Sequence, residues 1–124
     1  MRGWYRLNND GEPVPDSELR VPTEDERARH VVAKAEVAEW EVSTVFLRLD
    51  HAYDGGPPVL WETMIFGPDM ENPCWRYTSH ADAVAGHERA TAWLRDAAPA
   101  IKAASHAVEV AQANLRGIIE GAPQ

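Results

Sequence analysis

Between Val42 and Gly67 the chain reads VSTVFLRLDHAYDGGPPVLWETMIFG, two apolar runs separated by a Gly-Gly-Pro-Pro segment. Val42–Leu49 and Val59–Phe66 are rich in β-branched and aromatic residues and have strand length, while the glycines and prolines between them favour a chain reversal. The pair predicts a long β-hairpin at the centre of an antiparallel sheet. In the first run Val45, Leu47 and Leu49 share one face and Val42, Thr44 and Phe46 the other. In the second, Trp61, Thr63 and Ile65 oppose Leu60, Met64 and Phe66. Both faces are largely apolar, so the hairpin is expected to be interior, covered on each side by helices or by a partner subunit.

The remaining elements follow from local chemistry. Trp4–Leu7 reads as a short edge strand, ended by the turn residues Asn8-Asn9-Asp10-Gly11, and residues 11–22, with prolines at 13, 15 and 22, read as a loop. Thr23, followed three residues later by Glu26, has capping-box spacing for a short helix to about His30. Val31, Ala33, Ala35 and Val37 share one parity against Lys34 and Glu36, which favours a half-exposed strand over 31–39. Gly67-Pro68 ends the second run of the hairpin, and a brief strand is expected over Trp75–Thr78.

Ser79, with Asp82 three residues on, is placed to cap a helix over 79–97 whose apolar stripe includes Val84, His87, Thr91 and Leu94. Pro99 is expected to break or restart the chain. Beyond it Ile101, Ala104, Val108, Ala111, Leu115 and Ile118 are spaced as a heptad seam, and Gly121 and Pro123 are expected to end that helix. The expected fold is therefore α+β: an antiparallel sheet of about four or five strands, one packed helix and a C-terminal amphipathic helix. Residues 1–97 form the core domain and 98–124 a helix suited to oligomerisation. The seam can lie on its own sheet, on the other face from the 79–97 helix, or pair with a second copy as a homodimer contact; both readings stay open.

A chain of 124 residues is one domain, long enough to bury roughly two-thirds of its unfolded surface. Its formal charge of −8 repels phosphate backbones and anionic lipid, which argues against general nucleic-acid binding and membrane docking, while a basic protein partner stays compatible. Cys74 is the single cysteine, so no internal disulfide can form and a reducing compartment is implied. The N-terminus, MRGWYRLNNDGEP, has no apolar signal core, and no run approaches the ~20 apolar residues a bilayer requires; a cytoplasmic location is expected.

Few residues carry chemistry. Glu62 sits inside an apolar strand, where a carboxylate is costly unless paired: it is either a site acid or the ion-pair partner of Arg48 or Arg76. Asp50 and His51 end the first run, with Asp54 close behind. These residues can converge with Glu62 to hold a divalent ion, or the aspartates can satisfy turn amides beside a solvated His51. His87, next to Gly86, is either a core histidine with one bonded nitrogen or a catalytic group, and the glycine suggests a close helix–sheet contact. Asp50, His51, Glu62 and His87 form the candidate polar site. No phosphate-binding glycine loop, zinc-protease motif or nucleophile elbow is present, so no catalytic residue, metal or cofactor is assigned and a non-enzyme is favoured. The five tryptophans, at 4, 40, 61, 75 and 93, divide between core and interface roles; Trp93 joins Ile101, Ala104, Val108, Ala111, Leu115 and Ile118 as candidate interface residues.

The blocks VSTVFLRLDH (42–51) and PPVLWETMIFG (57–67), with Tyr77 and Gly86-His87 beyond them, resemble a family of small uncharacterised proteins from actinobacteria and their bacteriophages, whose usual wording is VSTVFLGLDH…PPLLFETMVFG. The resemblance covers about residues 40–88, and Arg48 replaces the usual glycine. It transfers no catalytic residues. Together with the lack of a catalytic constellation, it favours a non-enzymatic, phage-type accessory protein that binds a host protein through its acidic, Trp-bearing surface, in the host cytoplasm if phage-encoded. Two other classes remain as expectations: a small-molecule or nucleotide-binding sequestering (anti-defence) protein with an inter-subunit pocket, and a metal-dependent hydrolase using Asp50, His51, Glu62 and His87.

Overall fold

The central hairpin forms, and two further strands extend it into a meander. The computed structural model describes residues 3–18, 21–53 and 55–119, the last two by backbone alone. The expected turn role of Asp54, the seam position of the Ile118 side chain and the stop at Gly121 and Pro123 lie outside the described residues. In chain order the elements are β1 (Tyr5–Leu7), β2 (Pro13–Pro15), α1 (Glu24–Arg29), β3 (Val31–Val37), β4 (Trp40–Phe46), β5 (Trp61–Phe66), β6 (Cys74–Tyr77) and α2 (His80–Ile119). β3-β4-β5-β6 is an antiparallel four-stranded sheet, and β1 pairs with β2 in a separate two-stranded one. The fold is α+β, as the sequence implies.

Register explains which face is buried. Thr44 lies opposite Thr63, Val42 opposite Ile65 and Phe46 opposite Trp61. Ala35 pairs with Val42 and Val37 with Trp40, while Thr63 pairs with Trp75. These residues share one face, and α2 packs against it through Ala83, His87, Ala90, Thr91, Leu94 and Ala98, all buried. Two apolar clusters result. One joins Val37, Trp40, Val42 and Ile65 to Ala90, Leu94 and Ala98; the other joins Phe46, Leu60 and Trp61 to Ala83, with Tyr5 and Leu7 of β1 packed against it.

The opposite face differs from expectation. No element of the chain covers it among the described residues: Val45, Glu62 and Met64 are half-buried and Phe66 is 44% exposed. Apolar residues there alternate with charges that pair across strands, Lys34 with Glu41 at 3.8 Å and Arg76 with Glu62 at 2.9 Å. Scattered exposed apolar side chains are ordinary on a protein surface, so alternation of two apolar sets does not require two covers.

Three local differences have physical reasons. Pro13 and Pro15, read as loop markers, belong to β2; a proline lacks only the N–H, and an edge strand can do without it. The hairpin ladder is shorter than its apolar runs, because after Phe46 the chain bends to meet the N-terminus through a Trp4–Leu49 bridge and a Tyr5 N–H to Arg48 carbonyl bond of 2.7 Å. Pro99 neither breaks nor restarts the helix: α2 runs through it as one 40-residue element, so the helix expected to end near 97 and the one after it are continuous. Proline removes one intrahelical bond, and here its ring sits on the exposed side of the helix. The seam consequently lies on neither face of the sheet beyond Ile101.

The remaining local readings stand. Thr23 and Glu26 make a reciprocal capping box, with His30 as C-cap. Ser79 Oγ accepts the Asp82 N–H at 3.1 Å. A β-carbon on Gly86 would fall 2.2 Å from the Tyr77 hydroxyl oxygen, so glycine is what lets α2 close onto β6. No helix among the described residues is long and apolar enough to cross a membrane.

Candidate functional site

The candidate polar site does not assemble. Glu62 and Thr63 are neighbours on β5, so their side chains leave opposite faces. Thr63 points toward His87 under α2, while Glu62 points to the open face and bonds the Arg76 Nε–H at 2.9 Å. That bond raises the Arg76 guanidinium above its ordinary value and accounts for the strand carboxylate as an ion pair. Asp50 serves its own loop: its Oδ1 accepts the N–H groups of Ala52 at 2.8 Å and Val59 at 2.9 Å, closing the bend between β4 and β5. His51 Nδ1 donates to the Leu49 carbonyl at 2.6 Å. Among the described residues no group of three or more His, Cys, Asp or Glu is placed to hold a metal ion.

His87 is the buried end of a polar chain that separates the two apolar clusters. The Tyr77 hydroxyl donates to Thr63 Oγ1 at 3.0 Å, Thr63 and Thr44 hydroxyls lie 2.6 Å apart, and Thr44 Oγ1 is 2.7 Å from His87 Nδ1. One donor direction, Tyr77 to Thr63 to Thr44 to His87, satisfies every member if Nδ1 carries no proton. Burial lowers the His87 pKa and so favours that neutral form, although nearby Glu88 opposes the shift. The network uses the residue structurally, as a core histidine with one bonded nitrogen.

A different constellation presents itself to solvent. Trp75, on β6, shares the α2-facing side of the sheet but lies at its last strand, beyond the helix's buried stripe. Trp93 stands on the flank of α2 next to it. The two indoles, 43% and 51% exposed, form the walls of a cleft of about 200 Å³ whose floor is Gly86 and Ala90 and whose rim carries Arg89. Gly86, Ala90 and Trp93 follow one another at helical spacing, so the glycine that admits Tyr77 also opens the cleft floor. Its lining holds no carboxylate, thiol, hydroxyl or imidazole, and its size suits one apolar side chain, below the 300–1,000 Å³ typical of sites for whole small molecules. Trp and Arg are among the residue types enriched at protein interfaces.

The sequence marks Trp93 as a candidate interface residue and the structure leaves it exposed; its place beside Trp75 was not legible. The available signals were the shared parity of Trp75 with the buried strand positions and the seven-residue interval from Gly86 to Trp93. Of the other candidate interface residues, Ile101 is half-buried against the core, and Ala104, Val108, Ala111 and Leu115 are exposed on the part of α2 that runs past the sheet. Comparison with protein families, with curated proteins and with solved structures finds no match.

Proposed function

We propose that this chain is a non-enzymatic, phage-type accessory protein that binds a host protein through the Trp75–Trp93 cleft in the host cytoplasm. The observation that carries the reading is the pair of exposed tryptophans flanking an apolar cleft with no reactive group in its lining. Exposing two indoles to water is unfavourable unless a partner covers them, and burial of each would bring on the order of 2 kcal/mol to binding. The net charge of −8 favours a partner with basic surroundings to its docking residue. The resemblance of residues 40–88 to small phage and actinobacterial proteins supports the biological setting.

Self-association is the second part of the proposal: the exposed apolar stripe of α2 beyond Ile101 favours a homodimer. The test of host binding is affinity capture from a host lysate with mass-spectrometric readout. Wild type and Phe66→Ala, altered on the open sheet face, should retain the same partner; Trp93→Ala and Trp75→Ala should lose it. Equal retention by all four proteins would remove the cleft from the reading.

A further inference from the structure

Among the described residues, no strand or helix covers the apolar side of the α2 segment past the sheet, the arm of the helix. Val108 and Leu115 are each 54% exposed, Ala104 and Ala111 are exposed, and the 18 residues after Ile101 rise about 27 Å along the helix axis. A helix of that length owes most of its stability to packing of its apolar side. Resting on the self-association reading above, we infer that two copies join their arms antiparallel, in the register that sets Ala104 against the partner's Leu115 and Val108 against the partner's Ala111.

Side-chain size selects this arrangement. Along the seam the order is branched, small, branched, small, branched: Ile101, Ala104, Val108, Ala111, Leu115. A parallel pair in register would stack alanine on alanine and branched on branched, leaving voids alternating with crowded layers. Antiparallel pairing about a centre between Val108 and Ala111 gives each alanine a branched partner, four times over by two-fold symmetry. The positions flanking the seam, Ser105, Ala107, Gln112 and Asn114, are uncharged.

Charge selects it independently. Asp69, from the β5–β6 loop, accepts the Ser105 hydroxyl at 2.7 Å and so stands on one flank of the arm's base. A groove of about 520 Å³ opens there, lined by Asp69, Ile101, Ala104, Val108, Glu109 and Gln112. Lys102, on the same flank, is already engaged by Glu39 at 3.5 Å. In the antiparallel register residue 116 of one copy comes opposite residue 103 of the other, so the partner's Arg116 enters this groove beside Asp69. Each dimer contains two such pairs. Parallel arms would instead leave Arg116 far from any Asp69, at the other end of the helix.

Directed disulfide formation tests the register. In a Cys74→Ser background, chains carrying only Ala104→Cys are mixed with chains carrying only Leu115→Cys and oxidised mildly. Covalent heterodimers should dominate, with homotypic dimers scarce, and circular dichroism of the reduced chains should match the parent. Sedimentation of the uncrosslinked protein should show a concentration-dependent dimer. Arg116→Glu should raise its dissociation constant about tenfold, two exposed pairs contributing up to several-fold each, and adding Asp69→Arg should restore it. Homotypic crosslinks from a protein that still sediments as a dimer would overturn the antiparallel register alone. A monomer at every concentration would overturn self-association with it.

Discussion

The two halves of α2 share a helix and a heptad-like rhythm, yet one is a core element and the other a surface. From Ala83 to Ala98 every third or fourth residue is buried on the sheet: Ala83, His87, Ala90, Leu94 and Ala98. From Ala104 onward the same rhythm continues through Val108, Ala111 and Leu115, all exposed. Periodicity therefore tells that a face wants cover, and says nothing about whether the cover belongs to the same chain. What distinguishes the halves is reach. The sheet is only four strands wide, with strands of four to seven residues, and α2 is longer than the surface available to it.

The sharpest way to break this contrast is to truncate one leucine in each half. Leu94 is fully buried, and Leu94→Ala should cost about 2–5 kcal/mol from lost burial and a residual cavity. Leu115→Ala, at an exposed position, should cost no more than about 0.5 kcal/mol in dilute protein. Urea unfolding of both variants measures the difference. Comparable losses in dilute solution would mean that the arm is held by its own domain.

A second prediction concerns how closely the first half sits on the sheet. On helix propensity alone Gly86→Ala should stabilise by about 1 kcal/mol. The added β-carbon would instead meet Tyr77, which is tied through its hydroxyl to Thr63, so the helix must lift or the polar chain must part. The expected net result is a loss of about 1–3 kcal/mol, together with weaker partner capture, since Gly86 is the floor of the tryptophan cleft. A gain in melting temperature would show that the helix–β6 contact is loose.

Smaller still is the pH dependence stored in the first half. The folded His87 pKa lies below its ordinary value of 6.5, chiefly because burial disfavours the imidazolium, and His30 is shifted the same way by burial and by Arg48. The unfolded chain therefore binds protons first as pH falls. Stability is fully present above the ordinary value and is lost progressively as pH drops through it toward the folded value. His87→Asn keeps an acceptor for Thr44 but does not titrate, so its melting temperature should fall less than wild type between about pH 7 and 5.5; His30 leaves a residual slope. Identical slopes would assign the titration elsewhere.

These contrasts also mark what could be read in advance. Strand positions, the two helix caps, the Glu62 ion pair and the contact glycine were legible because each rests on chemistry within a few residues or on simple alternation. Asp50 bonding the Val59 amide follows the same turn logic. The open sheet face was not legible, since Val45, Met64 and Phe66 look core-like until the alternating Glu41, Glu62, Lys34 and Arg76 are paired across strands. Nor was β2, because proline reads as a loop signal unless the strand's edge position is known. The Trp75–Trp93 cleft depends on where β6 lies against α2, a tertiary fact that no local spacing contains. The unbroken helix at Pro99 depends on its ring facing water.

The smallest effect isolates the arm from every tertiary contact. Nothing lies within 4 Å of a β-carbon built on Gly117, in contrast to the crowded Gly86. Its backbone is already helical, so Gly117→Ala relieves an entropic cost without strain and should stabilise by a few tenths to about 1 kcal/mol. Because the arm frays from its end, the gain should appear first as higher helicity in circular dichroism and slower amide exchange over residues 108–117, with little change in the global unfolding midpoint. The same change should also tighten the proposed self-association, since less ordering is left to occur on pairing. A Gly117→Ala protein with raised helicity and unchanged dimerisation would mean that ordering of the arm's last turns plays no part in pairing.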